Sequence, residues 1–70
     1  MSESVYKVIE LVGTSPKSWE EAARLAIETA GRSVRDLRIA EVSKLDMKVE
    51  DGRVTAYRAR VKLSFKYTNE

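Results

Sequence analysis

The chain has 70 residues, a formal net charge of +2 and 34% charged residues, and it contains neither cysteine nor histidine. These two absences exclude disulfides, thiolate nucleophiles, zinc sites and imidazole acid/base chemistry within one chain. A chain of this size buries only about 60% of its unfolded surface, so partners are the expected source of further stability. We expect one domain over residues 1–70.

The charge and hydropathy patterns also limit the partners. A mild basic excess falls short of the clustered charge of a nucleic-acid binder, so no nucleic-acid partner is predicted. No apolar run approaches the length of a membrane span, and the N-terminus lacks the layout of a signal peptide. The sequence therefore predicts a cytoplasmic protein with no membrane partner.

The first predicted element is a strand over residues 4–12. Its sequence, S-V-Y-K-V-I-E-L-V, is rich in β-branched residues and ends at Gly13. Val5, Ile9 and Leu11 share one face, which Lys7 interrupts. The segment is therefore predicted to form the first strand.

A helix follows, with its start marked by Ser18 three residues before Glu21, the spacing of a capping box. Because its apolar stripe is mostly alanine, we expect the helix to lie close to its packing partner. Gly31 either ends the helix or is tolerated within it at about 1 kcal/mol. The stripe recurs at steps of three and four over about four turns: Trp19, Ala22, Ala23, Ala26, Ile27, Ala30 and Val34.

Two long alternating segments, residues 37–50 and 53–67, flank Asp51-Gly52, a strong signal for a hairpin turn with positive φ. The order is therefore β-α-β-β. In the first segment, the alternation predicts one face made of Leu37, Ile39, Glu41, Ser43, Leu45, Met47 and Val49. In the second, it predicts one face made of Tyr57, Ala59, Val61, Leu63, Phe65 and Tyr67.

The element lengths predict self-association. A helix of about 16 residues spans roughly 24 Å, whereas a strand of fourteen residues spans about 46 Å. One helix cannot cover that apolar face, and an uncovered apolar patch marks an interface. We predict an obligate homo-oligomer.

The chain resembles the dodecin family over nearly its whole length. The resemblance rests on V-Y-K-V-I-E-L-V-G-T-S, the helix start S-W-E-E-A-A, L-R-I-A-E-V, the Asp51-Gly52 turn and the ending Y-R-A-R-V-K-L-S-F-K-Y. It implies an α+β fold of β-α-β-β order, a three-stranded antiparallel sheet wrapped around one helix, assembled into a hollow homododecamer. It also implies a non-catalytic protein that stores or sequesters flavin, riboflavin or FMN, bound non-covalently.

The flavin-binding pattern of that family is altered here. Matching L-x-W-x-E-V to residues 37–42 puts Ile39 where a tryptophan stacks on the flavin, and matching Y-Q to residues 57–58 puts Arg58 where a glutamine binds the pyrimidine edge. Glu41 and Tyr57 complete the candidate flavin-binding set. Loss of aromatic stacking, worth roughly 1–3 kcal/mol, predicts weaker or rearranged flavin binding.

The altered pattern leaves a second function open. A dodecin-like shell without flavin would bind calcium or magnesium, or a phosphate-bearing ligand on its Arg/Lys face, or act as a scaffold. Asp46, Glu50 and Asp51 would supply cation ligands if several subunits converge. An enzyme is not expected, since no nucleophile-base pair is visible. Trp19, the only tryptophan, is assigned to core packing rather than to flavin stacking.

Overall fold

A computed structural model of the protein describes residues 3–67. Strand β1 spans Val5–Ser15, helix α1 Trp19–Gly31, strand β2 Leu37–Glu50 and strand β3 Arg53–Tyr67. The strands form one antiparallel sheet in the order β1-β3-β2, so β3 is central and α1 packs on one face. The predicted α+β fold of β-α-β-β order is confirmed. Among the described residues, no helix is long and apolar enough to cross a membrane.

Helix α1 begins at the predicted cap and ends earlier than its apolar stripe suggested. The Ser18 hydroxyl accepts a hydrogen bond of 3.0 Å from the backbone N–H of Glu21. The helix ends at Gly31, and Val34 lies beyond it, donating its N–H to the Ala30 carbonyl at 2.9 Å. The two alternatives for Gly31 are thus decided in favour of the helix end.

Gly13 does not end β1, which continues to Ser15, so the predicted strand end is wrong. The glycine instead allows α1 to approach the sheet. A Cβ atom added at Gly13 would stand 2.0 Å from the Ala22 carbonyl oxygen and 3.1 Å from the Ala26 Cβ. The alanine stripe and this glycine together bring the helix backbone close to β1, as the alanine content predicted.

The core lies between α1 and the central strand. Ala22, Ala26 and Ala30 of the helix are buried, and Val61 and Leu63 of β3 have no exposed surface. Partly buried residues of the other elements pack around them: Ile9, Leu11, Ala23, Ile27 and Leu37. The three buried helix residues are all alanine, so this core is thin.

The sheet extends well past the helix. Helix α1 has 13 residues and spans about 20 Å, whereas the protein is 54 Å long. Toward the hairpin, Leu45, Met47, Val49 and Val54 remain 45 to 59% exposed. An apolar surface of this kind is what the length argument predicted, and it is typical of an interface.

Three register shifts divide the pairing of β2 with β3. Two leave Arg38 and Ser43 as extra residues in β2, and the third leaves Thr55 extra in β3. Each bulge exchanges the faces of the residues that follow it. The hairpin turn itself is as predicted, with φ of 53° at Asp51 and 74° at Gly52.

These bulges correct the face assigned to β2. Leu37, Leu45 and Met47 face the helix as predicted, because they pair with Phe65, Ala59 and Tyr57 of β3. Ile39 and Glu41 do not, since they pair with Ser64 and Lys62 on the opposite face. The alternation predicted for β3 is confirmed, because its buried Ala59, Val61 and Leu63 lie on one face.

Candidate ligand-binding site

Most candidate ligand residues lie on the face of the sheet turned away from α1. Directly paired residues of antiparallel strands share a face, so the pairing with β3 determines which residues lie there. Cationic side chains outnumber carboxylates on this surface, which we call the charged face. Its members are Tyr6, Val8, Glu10, Val12 and Thr14 of β1, Arg58, Arg60, Lys62, Ser64 and Lys66 of β3, and Ile39, Glu41, Lys44, Asp46 and Lys48 of β2.

Arg58 is held by Asp46, directly opposite on β2. Its Nε donates to Asp46 Oδ1 at 2.7 Å and its Nη2 donates to Oδ2 at 2.9 Å. Such a bidentate pair combines two charge-assisted hydrogen bonds with a fixed orientation. The guanidinium of Arg58 therefore has one defined partner within its own chain.

The ion pair changes the titration of both groups. The hydrogen bond from Arg58 lowers the pKa of Asp46, and the positive charges of Arg58, Arg60 and Lys44 lower it further against the opposing effect of desolvation. The same hydrogen bond raises the pKa of Arg58. Three cationic side chains therefore lower the pKa of Asp46 together.

Trp19 contacts Asp46 and Tyr57 from the helix side of the sheet. The indole N–H of Trp19 donates to the backbone carbonyl of Asp46 at 3.0 Å. The Trp19 ring also meets Tyr57 edge to face, with ring centroids 5.2 Å apart. The predicted packing role of Trp19 is consistent with this position at the half-buried start of α1.

Comparisons with known proteins place this architecture in a family. The family model for Dodecin matches residues 5–68. The calcium dodecin of Mycobacterium tuberculosis is 49% identical over 63 residues, which covers 90% of this chain and 89% of that protein. The chain belongs to the dodecin family.

Two solved dodecin structures show the same fold. The dodecin of Streptomyces coelicolor aligns with a TM-score of 0.89 at 36% identity, with both chains covered in full. The crystal structure of M. tuberculosis calcium dodecin, which has a novel calcium-binding site, aligns with a TM-score of 0.82 at 47% identity over 96% of each chain.

The dodecin resemblance put Ile39 and Arg58 at the two flavin-recognition positions, and one chain does not bring them together. Ile39 pairs with Ser64, six residues along β3 from Arg58, a separation of about 20 Å. Ile39 is 57% exposed, and Val8, across Ser64 from it, is also exposed. The two positions can meet at one ligand only through a second subunit.

Glu41 and Tyr57 are placed on different faces. Glu41 lies on the charged face opposite Lys62, about two residues along β2 from Ile39. Tyr57 lies on the helix face against Trp19. Of the four candidates, Ile39, Glu41 and Arg58 therefore share a surface and Tyr57 does not.

The sequence analysis missed Asp46 as the partner of Arg58. Counting back from the Asp51-Gly52 turn pairs Glu50 with Arg53, and without a bulge it would pair Asp46 with Tyr57. The extra residue at Thr55 shifts the pairing by one and aligns Asp46 with Arg58. Only the opposite charges of the two side chains signalled this pair in the sequence.

The structure also gives the positions of Ser43 and of the acidic residues considered as metal ligands. Ser43 is the bulged residue of β2, and its hydroxyl donates to the Arg60 carbonyl at 3.2 Å. Within residues 3–67, no group of three acidic side chains lies close enough together to hold a metal ion. Glu50 is paired with Lys48 at 3.3 Å, and Asp51 stands at the hairpin turn.

Proposed function

We propose that this dodecin assembles into a homododecamer that binds a divalent cation, calcium first, without catalysing a reaction. The observation that carries the proposal is the 49% identity with a calcium dodecin across 90% of the chain. A second observation supports it: both flavin-recognition residues are replaced. Ile39 stands at one position, and at the other stands Arg58, which is hydrogen-bonded to Asp46. The cargo of such a shell would be stored or buffered rather than transformed.

The altered recognition residues favour the cation over flavin. Ile39 offers an apolar contact without aromatic stacking, a loss of roughly 1–3 kcal/mol, or about one to two orders of magnitude in affinity. Arg58 would have to leave two hydrogen bonds with Asp46 before it could bind the pyrimidine edge of the flavin. Both changes weaken the flavin site.

The cation would lie where acidic side chains of several subunits converge. Calcium takes six to eight oxygen ligands, a number that separate copies can supply jointly around a symmetry axis. Asp51, at the tip of the projecting hairpin, is the acidic residue best placed to reach a neighbouring subunit. Asp46 and Glu50 are not assigned to this site, since each already pairs with a cationic side chain of its own chain.

Calorimetric titration of Ca²⁺ into the purified assembly, with light scattering to record its mass, tests this function. We expect saturable binding by a particle of about 95 kDa, twelve times the 7.9 kDa chain. Asp51→Asn should weaken binding, and Asp36→Asn should not. The two residues are matched, because both are aspartates with positive φ, a conformation that asparagine also tolerates.

A particle of this mass that takes up no Ca²⁺ would refute cation binding and leave the assembly intact. A monomer at micromolar concentration would refute the assembly itself. Equal weakening by Asp36→Asn and Asp51→Asn would mean that general surface charge, rather than the hairpin carboxylate, attracts the cation.

Flavin storage is the second candidate, favoured by the exposed apolar surface of Ile39 and Val8 on the charged face. Titration of riboflavin, FMN and FAD, followed by flavin fluorescence, tests it. If the flavin site is present and merely weakened, Ile39→Trp combined with Arg58→Gln should tighten binding at least about tenfold. Absence of quenching in both the natural protein and the double variant would exclude a flavin site at these positions.

A further inference from the structure

Three cationic side chains crowd together in two adjacent rows of the charged face. Lys44 pairs directly with Arg60, and Asp46 pairs with Arg58 in the next row. Like charges placed directly opposite each other across two strands repel and destabilise the pairing. An anion placed among Arg58, Arg60 and Lys44 would offset this repulsion.

Two carboxylates offer this charge compensation, and they contribute unequally. Asp46 makes two short hydrogen bonds with Arg58, whereas Glu10 approaches Arg60 Nη1 only to 3.9 Å. The charges of all three cations lower the pKa of Asp46. The Asp46 carboxylate is thus the principal anion of the cluster.

The Asp46 carboxylate occupies this position in the manner of a bound anion. A carboxylate presents two oxygens to the fork of an arginine, and a phosphate group presents the same pair with additional oxygens for further cations. The pair is also accessible, since the Arg58 and Asp46 side chains are 44% and 51% exposed. An external anion can reach the guanidinium when the carboxylate turns away.

We propose that Arg58, Arg60 and Lys44 form a binding site for a phosphate group, and that the Asp46 side chain occupies this site in the absence of ligand. Asp46 then sets the affinity, because the ligand must displace an anion belonging to the chain itself. The site is separate from the proposed cation site at the hairpin tip, and neither depends on the other.

The backbone beneath the site gives it a spectroscopic reporter. Trp19 is the only tryptophan of the chain, and its indole N–H binds the carbonyl of Asp46 from the other side of the sheet. Movement of Asp46 on ligand binding should therefore change the tryptophan fluorescence. This signal arises within a few bonds of the site and does not require a fluorescent ligand.

Titration of inorganic phosphate into the assembled protein, followed by calorimetry and tryptophan fluorescence, tests the proposal. We expect weak binding by the natural protein and binding at least about tenfold tighter by Asp46→Asn, since the internal competitor loses its charge. Adding Arg58→Gln to Asp46→Asn should abolish the gain. Asp36→Asn is the matched control, because it makes the same charge change at a residue paired with Arg38 instead.

Equal phosphate affinity in Asp46→Asn and Asp36→Asn would overturn the proposal, as would a gain that survives Arg58→Gln. Asp46→Ser provides a second test that removes the charge without introducing an amide, and it should show the same gain. FMN compared with riboflavin then identifies the source of the phosphate. If Asp46→Asn binds FMN more tightly than riboflavin, the site recognises a phosphate ester carried on a flavin. If it gains inorganic phosphate but binds FMN and riboflavin equally, the site recognises free phosphate.

Failure of this test is distinguishable from failure of the cation proposal. The natural protein would bind Ca²⁺ whether or not Asp46→Asn gains phosphate, since the two titrations use different probes and different variants. A gain of phosphate binding in a protein that takes up no Ca²⁺ would support the anion site alone.

Discussion

The two faces of the sheet differ in the interactions that their side chains make. On the helix face, small residues of α1 meet fully buried Val61 and Leu63, and a glycine allows the two backbones to approach closely. On the charged face, side chains are mostly exposed and interact through ion pairs such as Arg58 with Asp46. Apolar packing therefore dominates one face, and exposed ion pairs dominate the other.

The comparison separates the residues that hold the fold from those at the family's ligand positions. Substitutions on the charged face, such as those at Ile39 and Arg58, remove no buried contact of the core. Exposed positions of this kind usually alter stability by less than about 0.5 kcal/mol. The recognition residues can therefore vary while the sheet and helix stay the same.

The largest expected loss of stability comes from Gly13→Ala, on the helix face. The added methyl group would stand 2.0 Å from a backbone carbonyl of α1, which no side-chain rotation can relieve. We expect a loss of about 3 kcal/mol or more in the free energy of unfolding, at the upper end of overpacking effects. Denaturant unfolding measures it.

Gly31→Ala provides the control for Gly13→Ala. A Cβ atom at Gly31 meets no atom within 4 Å and the glycine does not have positive φ, so this variant should gain about 0.4–1 kcal/mol because alanine restricts the unfolded chain. Equal destabilisation by both variants would contradict the close approach of α1 to β1.

Leu63→Ala tests the core beneath the helix. Leu63 is fully buried in the central strand, so its truncation should cost about 2–5 kcal/mol through lost burial and a cavity. Ile39→Ala, on the charged face at 57% exposure, should cost well under half of that. Similar losses of stability in thermal unfolding would show that Ile39 is buried in the assembly. The charged face would then contain an interface between subunits.

Ser18→Ala tests the start of α1. The variant removes the hydroxyl that accepts from Glu21 N–H, and we expect a loss of about 1 kcal/mol. Ser33→Ala is the matched control, because its hydroxyl makes only a 3.5 Å contact with the Ala30 carbonyl. A Ser18→Ala variant as stable as Ser33→Ala would mean that packing alone fixes the helix start.

The smallest effect concerns pH and the charged face. Because the pKa of Asp46 is lowered in the folded protein, its pairing contributes stability above its ordinary value of 3.8, and that stability is lost as pH falls through the lowered value. Unfolding midpoints of the natural protein and Asp46→Asn should therefore differ at neutral pH and converge in acid. Arg58→Gln should remove the same pH dependence, and a difference that persists in acid would assign it to another group.

Several elements were predictable because their signals are local. Ser18 and Glu21 mark the helix start by their spacing, Asp51 and Gly52 fix the turn by their tolerance of positive φ, and the bounds of both long strands follow from the alternation. The fold class follows from the order of these elements and from the family resemblance.

The faces of β2 and the partner of Arg58 were not predictable in this way. Bulges at Arg38, Ser43 and Thr55 exchange faces along the strand, and nothing in the alternation marks where an extra residue is inserted. Gly13 likewise looked like a strand end, because its role depends on a helix carbonyl nine residues further along the chain.

The sequence by itself determined the elements, their order and the turn, since each depends on neighbouring residues. Only the tertiary structure decided which side chains share the charged face and that Asp46 holds Arg58. The physical reason is that register is set by pairing across the whole sheet and by the helix packed against it, and a shift of one residue moves a side chain to the opposite face.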